Sequence, residues 1–172
     1  MSNQSNCFLR PYTRSDKQAL ANLFMDAEVM RYVGDGRTVP TAAVREIMDR
    51  IFHIYDSDPS FLIWAIQESD EYAGHAELKR RKGRGEYELI YILQRSRWGR
   101  SLGTHVVDLL LAEARKRLIP FVIATVDPEK RPPSPFSSVA VFHLTPSYRP
   151  HSVAKRIDYH CKARLDFYGK HA

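Results

Sequence analysis

At 172 residues, with 44% hydrophobic and 27% charged side chains, the chain is read as one domain over residues 1–172 with a packed core, which excludes a disordered or collagen-like protein. Its 26 Lys and Arg against 20 Asp and Glu leave a net charge of +6, which suits an anionic ligand, a nucleic acid or an anionic surface. Two cysteines, Cys7 and Cys161, lack disulfide-framework and metal spacing, and neither a signal sequence nor an apolar run of about 18 residues is present, so a cytoplasmic protein with no metal and no membrane partner is expected.

Along the chain, Ser15-Asp16-Lys17-Gln18 is a capping-box pattern, and Leu20, Leu23 and Phe24 recur at helical spacing. A short helix is expected over residues 16–25. Residues 30–38 read as a loop, because Gly34-Asp35-Gly36 is turn chemistry. A second helix follows Pro40-Thr41, with Val44, Ile47, Met48, Ile51 and Tyr55 as one apolar stripe. Residues 61–66, 72–79 and 87–93 then read as strands. The last two form a hairpin across the basic run Lys79-Arg80-Arg81-Lys82-Gly83-Arg84, taken as a solvated turn rather than a nucleic-acid arm.

After a polar stretch at 94–103, Val106, Val107, Leu110, Leu111 and Ala114 mark one face of a strong helix. Arg115, Lys116 and Arg117 fill its last turn, where cations suit the helix dipole. Residues 121–126 are nearly all apolar and read as a buried strand. Four prolines make residues 127–135 a loop. Ser137-Ser138 can cap a short helix through Val141 and Phe142, and one or two strands are expected within 156–167. This order predicts an α+β fold, a mixed and mostly antiparallel sheet flanked by helices on both faces.

The segment most informative about function is 91–104, where a strand end, a glycine-containing turn and a helix start follow one another. The free N–H groups of a helix's first turn, with the positive end of its dipole, attract anions. Gly99 and Gly103 let backbone approach a ligand without a Cβ in the way, and Arg95, Arg97 and Arg100 add cations beside it. A phosphate or pyrophosphate fits such a place. The spacing is neither that of a nucleotide-hydrolase phosphate loop nor a dinucleotide fingerprint.

Three stretches carry a family resemblance. They are Leu9-Arg10-Pro11 with Asp16 and residues 27–33, then Glu88-Leu89-Ile90-Tyr91-Ile92-Leu93, then Trp98-Gly99-Arg100-Ser101-Leu102-Gly103-Thr104. In these the sequence resembles the GNAT superfamily of N-acetyltransferases, in particular its ribosomal-protein N-acetyltransferase (RimJ/RimL-like) branch. The resemblance implies acetyl-CoA as cosubstrate, with Ile92 and Leu93 along the pantetheine. Arg97, Trp98, Gly99, Arg100, Ser101, Leu102, Gly103 and Thr104 would hold the pyrophosphate, and Ser138 would be a further contact. It also implies a gap between the strand at 87–93 and the strand at 121–126, in which the thioester lies.

The sequence departs from the pattern in places. Ser101 stands where the family has a loop glycine; at positive φ a serine costs about 1 kcal/mol, though its hydroxyl can donate to a phosphate. His105 replaces a common Glu, and Lys130 a common Asn. Phe142 stands where many relatives place a tyrosine near the leaving thiol, and the exit at Tyr148-Arg149-Pro150 lacks its glycine.

The implied reaction is attack of a neutral amine on a thioester. Primary amines titrate near about 8 to 10.4, so a proton must be removed at neutral pH. Glu88 is the candidate base, on the same strand side as Ile90 and Ile92. A backbone N–H near Ile92 or Leu93 is the candidate oxyanion donor. His75 and His143 are lesser candidates as proton carriers. The acceptor is left open among a protein N-terminus, a polyamine, an aminoglycoside or another small amine, and a homodimer is allowed. The alternative is the same fold as a CoA-binding or ribosome- or RNA-binding module without catalysis, with nucleic acid reached only through a ribosome. Aromatic residues at periodic core positions favour the enzyme.

Overall fold

The computed structural model describes residues 6–58, 62–81 and 86–124, and the backbone of 140–143. Among them, six strands make one sheet in the order β1-β2-β3-β4-β5-β6. The strands are β1 (Cys7–Arg10), β2 (Leu62–Glu68), β3 (Glu71–Arg80), β4 (Tyr87–Leu93), β5 (Phe121–Ala124) and β6 (Ala140–His143). Every neighbouring pair is antiparallel except β4 and β5. That parallel pair needs a crossover, and the helix α4 (Leu102–Lys116) supplies it.

The sheet is covered on both faces, as the order of elements predicts. Under α4 lie Trp64, Ile66, Ala76, Leu78, Leu89 and Val122, meeting the helix's Val106, Leu110 and Ala114. The other face carries α1 (Lys17–Met25), α2 (Ala27–Met30) and α3 (Thr41–Ser57) over Ile63, Ala65 and Ile92. Central β3 is buried continuously from Ala73 to Leu78, because helices cover it on both sides.

The sequence reading needs three corrections. First, it has no strand before the helices, but Cys7–Arg10 pairs with β2 from Cys7↔Glu68 to Arg10↔Ala65. Four residues are too few to show alternation; the ladder, not the local sequence, makes the strand. Second, Ser15 and Gln18 do not form the capping box. Asp16 accepts the Thr13 N–H at 2.7 Å, and Arg14–Asp16 is a 3-10 turn that leads into α1. Third, Val141 and Phe142 lie in a strand rather than a short helix, with Phe142 opposite Val122 and Val141 opposite Ile123. Residues 82–85, Ser138, Lys130, Tyr148-Arg149-Pro150 and the expected strands within 156–167 lie outside the described residues.

Candidate active site

β4 and β5 pair only at Tyr87↔Val122 and Glu88↔Ile123. From Leu89 onward, β4 has no registered partner on its β5 side among the described residues. Its other edge stays paired with β3 as far as Gly74↔Leu93. That side is very tight at Gly74, where a Cβ would stand 2.2 Å from the Ile92 carbonyl oxygen. Only glycine admits this approach.

β4 leads into a 3-10 turn at Arg95–Arg97 and then into α4. Two residues between them take the left-handed conformation, Gly99 at φ 73° and Ser101 at φ 58°. Ser101 is the N-cap of α4, and its side chain makes no capping bond. The first helical N–H to find a partner belongs to His105, which donates to the Ser101 carbonyl at 3.3 Å. The N–H groups of Leu102, Gly103 and Thr104 therefore have no intrahelical acceptor. Gly99, Arg100, Ser101 and Thr104 are exposed. The loop is an accessible crown of backbone donors at the positive end of a 15-residue helix.

The model of the acetyltransferase (GNAT) domain matches residues 6–132. The chain belongs to the GNAT acetyltransferase family. Acetyl-CoA-dependent acetyl transfer is the general chemistry of this domain. Solved structures share its fold at low identity. Spermidine N-acetyltransferase from Vibrio cholerae, in complex with CoA and spermine, has a TM-score of 0.61 and 17% identity, over 72% of each chain. A putative acetyltransferase from Salmonella typhimurium with acetyl-CoA has a TM-score of 0.57 and 18% identity, over 73% of this chain and 72% of that one. The ribosomal L7/L12 α-N-protein acetyltransferase RimL, with CoA, has a TM-score of 0.60 and 13% identity, over 72% of each chain. No curated protein matches the sequence closely enough to count as a relative. Among the described residues, no helix is long and apolar enough to cross a membrane, and no group of His, Cys, Asp and Glu could hold a metal.

Within this GNAT domain, the residues expected at the cofactor have divided roles. Ile92 and Leu93 are buried on β4, in the stretch with no registered partner on its β5 side among the described residues. Trp98 is a staple: its indole N–H donates to the Leu93 carbonyl at 3.1 Å, and Tyr32 meets it edge-on at 5.7 Å. Its backbone N–H is also occupied, donating to Arg95. Arg97 turns away from the crown to Glu68 at 2.6 Å and to Glu71. Arg95 and Arg100 are exposed and make no ion pair among the described residues, so they supply the free positive charge. Gly103 has a packing duty too, because a Cβ there would stand 2.9 Å from the Tyr91 hydroxyl.

Glu88 is half-buried, opposite Lys79 on β3 and Ile123 on β5, at the closed end of the gap. His75 and Glu77 lie on the same sheet face and are wholly buried. The His75 Nε2 is 2.7 Å from Glu77 Oε1, and its Nδ1 is 2.8 Å from the Tyr12 hydroxyl. That hydroxyl is 3.0 Å from the Tyr72 hydroxyl. Burial pushes both phenols up, and each also feels the other. The second oxygen of Glu77 has no hydrogen-bond partner among the described residues. Sequence reasoning passed over Glu77. The available signal was the i, i+2 pair of His75 and Glu77 inside an otherwise apolar strand, which puts two polar side chains on one covered face. Cys7 is no nucleophile: burial, with Glu68 beside it, raises its thiol to about 11.

Proposed function

We propose that the protein is an acetyl-CoA-dependent N-acetyltransferase acting on a primary amine, in a cytoplasmic setting. The observation that carries this is the exposed crown of N–H groups at Ser101 and the start of α4, placed directly beyond the unpaired stretch of β4. The backbone of Gly99, Arg100, Ser101, Leu102, Gly103 and Thr104 would hold the pyrophosphate, with the Arg100 charge beside it. The pantetheine would lie along Ile92 and Leu93. Arg97 and Trp98 act by fixing the loop, and Ser138 is kept as a further contact. Glu88 is the carboxylate on β4 best placed to take an amine's proton directly. Neighbours of the same fold act, by name, on spermidine and on a ribosomal protein. A polyamine or a protein N-terminus is accordingly the acceptor class, and the ribosomal-protein branch the affiliation, that we favour.

The test is thermal denaturation with and without acetyl-CoA. A ligand at 100 times its dissociation constant adds about 2.7 kcal/mol to a folded state that alone binds it. The midpoint should rise by roughly 5–10 °C for a chain of this size. The rise should vanish in Gly103→Glu, which puts a carboxylate into the crown. No rise at millimolar acetyl-CoA overturns the proposal.

A further inference from the structure

The sheet face under α1 and α3 holds a chain of titratable side chains that no part of the cofactor site uses. We propose that Glu77, His75, Tyr12 and Tyr72 form a buried proton relay, which takes the proton that a protonated amine must lose before it attacks the thioester beside β4. The relay rests on the acetyltransferase reading and deepens it.

The first support is placement. Glu77 is opposite Ile90 and His75 is opposite Ile92. Cross-strand neighbours on one face lie about 5 Å apart at Cβ. Ile90 and Ile92 belong to the stretch of β4 whose far edge has no registered partner among the described residues. Only the width of β4 therefore separates Glu77 from the gap, and Ile90, the side chain between them, is half-buried.

The second support is Glu77 Oε2, which has no hydrogen-bond partner among the described residues, in a residue with 0% exposure. A buried acceptor left without a donor costs about 1–3 kcal/mol. Packing does not require it, since apolar side chains of similar volume often replace buried polar pairs at no loss. An acceptor kept at that cost suits a group that receives a proton in the working cycle.

The third support is a distortion of the sheet. The register of β2 and β3 shifts between Ile66 and Gln67, which face Gly74 and Tyr72. The extra residue, Ala73, reverses the alternation of β3. Tyr72 thereby joins the face of His75 and reaches Tyr12, which Tyr55 holds by accepting the Tyr12 backbone N–H at 2.9 Å. The chain runs from the core at Glu77 to half-buried Tyr72. The Tyr55 hydroxyl also faces this chain, the Arg10–Asp16 pair lies near Tyr72, and Lys79 and Glu88 follow Glu77 on the same face.

The step balances without a further reactant. An ammonium proton passes by way of water to Glu77 Oε2. As it arrives, the proton shared by Glu77 Oε1 and His75 Nε2 settles on Nε2, the Nδ1 proton moves to Tyr12, and the Tyr12 hydroxyl proton passes to Tyr72 and solvent. The neutral nitrogen then bonds to the thioester carbonyl carbon, the C–S bond breaks, and CoA leaves as thiolate. The second nitrogen proton goes to Glu88 and, through solvent, to the thiolate, giving amide and thiol.

The test measures thiol release from acetyl-CoA by the full chain with two probe nucleophiles. Propylamine is protonated at neutral pH and must lose a proton; hydroxylamine is already neutral. In Glu77→Gln, turnover with propylamine should fall about 100-fold at pH 7. It should recover as the pH approaches that of the free amine. Turnover with hydroxylamine should stay within about twofold, and the acetyl-CoA melting shift should be unchanged. Tyr12→Phe keeps the ring and should show the same selectivity at about tenfold, which covers a Glu77 variant that fails to fold. Equal slowing of both probes, slowing of neither, or a selective loss confined to Glu88→Gln overturns the relay. So does a wild-type protein that shows the melting shift yet releases no thiol with either probe. A wild-type protein with no melting shift overturns the acetyltransferase reading itself, which is a separate outcome.

Discussion

The two faces of the sheet are buried to a similar degree but by different chemistry. Under α4 the contacts are apolar, with Val106, Leu110, Ala114, Leu78 and Val122 all fully covered. Under α1 and α3, equally covered positions carry His75 and Glu77, with Tyr12 beside them. Burial by itself therefore does not tell a stabilising position from a working one; the chemical nature of what is buried does. Apolar burial adds stability in proportion to area, whereas an incompletely paired polar group takes it away. The α4 face supports the fold, and the opposite face gives up some of that support.

Paired substitutions test this difference with the largest expected effects. Leu110→Ala removes a fully buried side chain and should cost about 3–4 kcal/mol. In a chain of this length that is a midpoint lower by roughly 6–16 °C, read by thermal denaturation. The acetyl-CoA shift should persist, because Leu110 lies well inside α4. Glu77→Gln should cost only about 1 kcal/mol, since the amide has the same shape and can keep the bond to His75. Should Glu77→Gln cost as much as Leu110→Ala, the two faces would be structural alike and the contrast would fall.

A second pair divides the basic loop. Arg97→Met leaves Glu68, at 6% exposure, without its cation. Breaking a buried pair from one side costs about 3 kcal/mol, which should appear as a lower midpoint in the apo protein. Arg100→Met touches no partner among the described residues and should leave that midpoint unchanged. Its effect should fall on acetyl-CoA, as a smaller melting shift and a weaker dependence on salt. The reverse assignment of the two arginines would place Arg97 at the pyrophosphate after all.

This arginine pair also shows how far the sequence could be read. The crown was legible because every part is local: glycines, cations and a helix start within residues 94–104. Helices α1, α3 and α4 were legible from their 3.6 period, and the three central strands from their short, strand-rich runs, whereas the short α2 was not. What was not legible depends on distant partners. Nothing near Arg97 announces Glu68 and Glu71, which come from the β2–β3 turn. Nothing near His75 announces Tyr12, brought in behind β1, and the bulge at Ala73 that turns Tyr72 to the same face is set by pairing with β2. Strand β1 is visible only through β2, and β6 only through β5. Local chemistry is written in the sequence, whereas pairing across the sheet must be seen in the fold.

Acid sensitivity should be concentrated on the face that carries polar groups. Burial tends to raise the Asp16 carboxyl, but Arg10 and the N–H and hydroxyl of Thr13 outweigh it and hold the group below its ordinary 3.8. A carboxyl depressed in the folded state adds stability above its unfolded value. That stability is lost as the pH falls below about 3.8 and through the lower folded value. Asp16→Asn should therefore be less stable than wild type at pH 7, and the two midpoints should converge on acidification through that window. A constant difference from pH 7 to pH 2 would show that Asp16 acts by packing rather than by charge.

The smallest effect expected is at Ser101, where fold and cofactor make opposite demands. A serine at φ 58° carries about 1 kcal/mol of strain that glycine would not. Ser101→Gly should raise the apo midpoint by roughly 2–4 °C. Its hydroxyl caps nothing in α4, so the strain gains the helix no bond in return. Strain of this kind persists where a ligand uses the group. The same variant should then lose affinity for acetyl-CoA by about fivefold, the worth of one hydrogen bond to a phosphate oxygen. Calorimetric titration reads that loss separately from the midpoint. A variant that is both more stable and equally tight would mean that the serine is merely tolerated, and that the crown binds through its backbone alone.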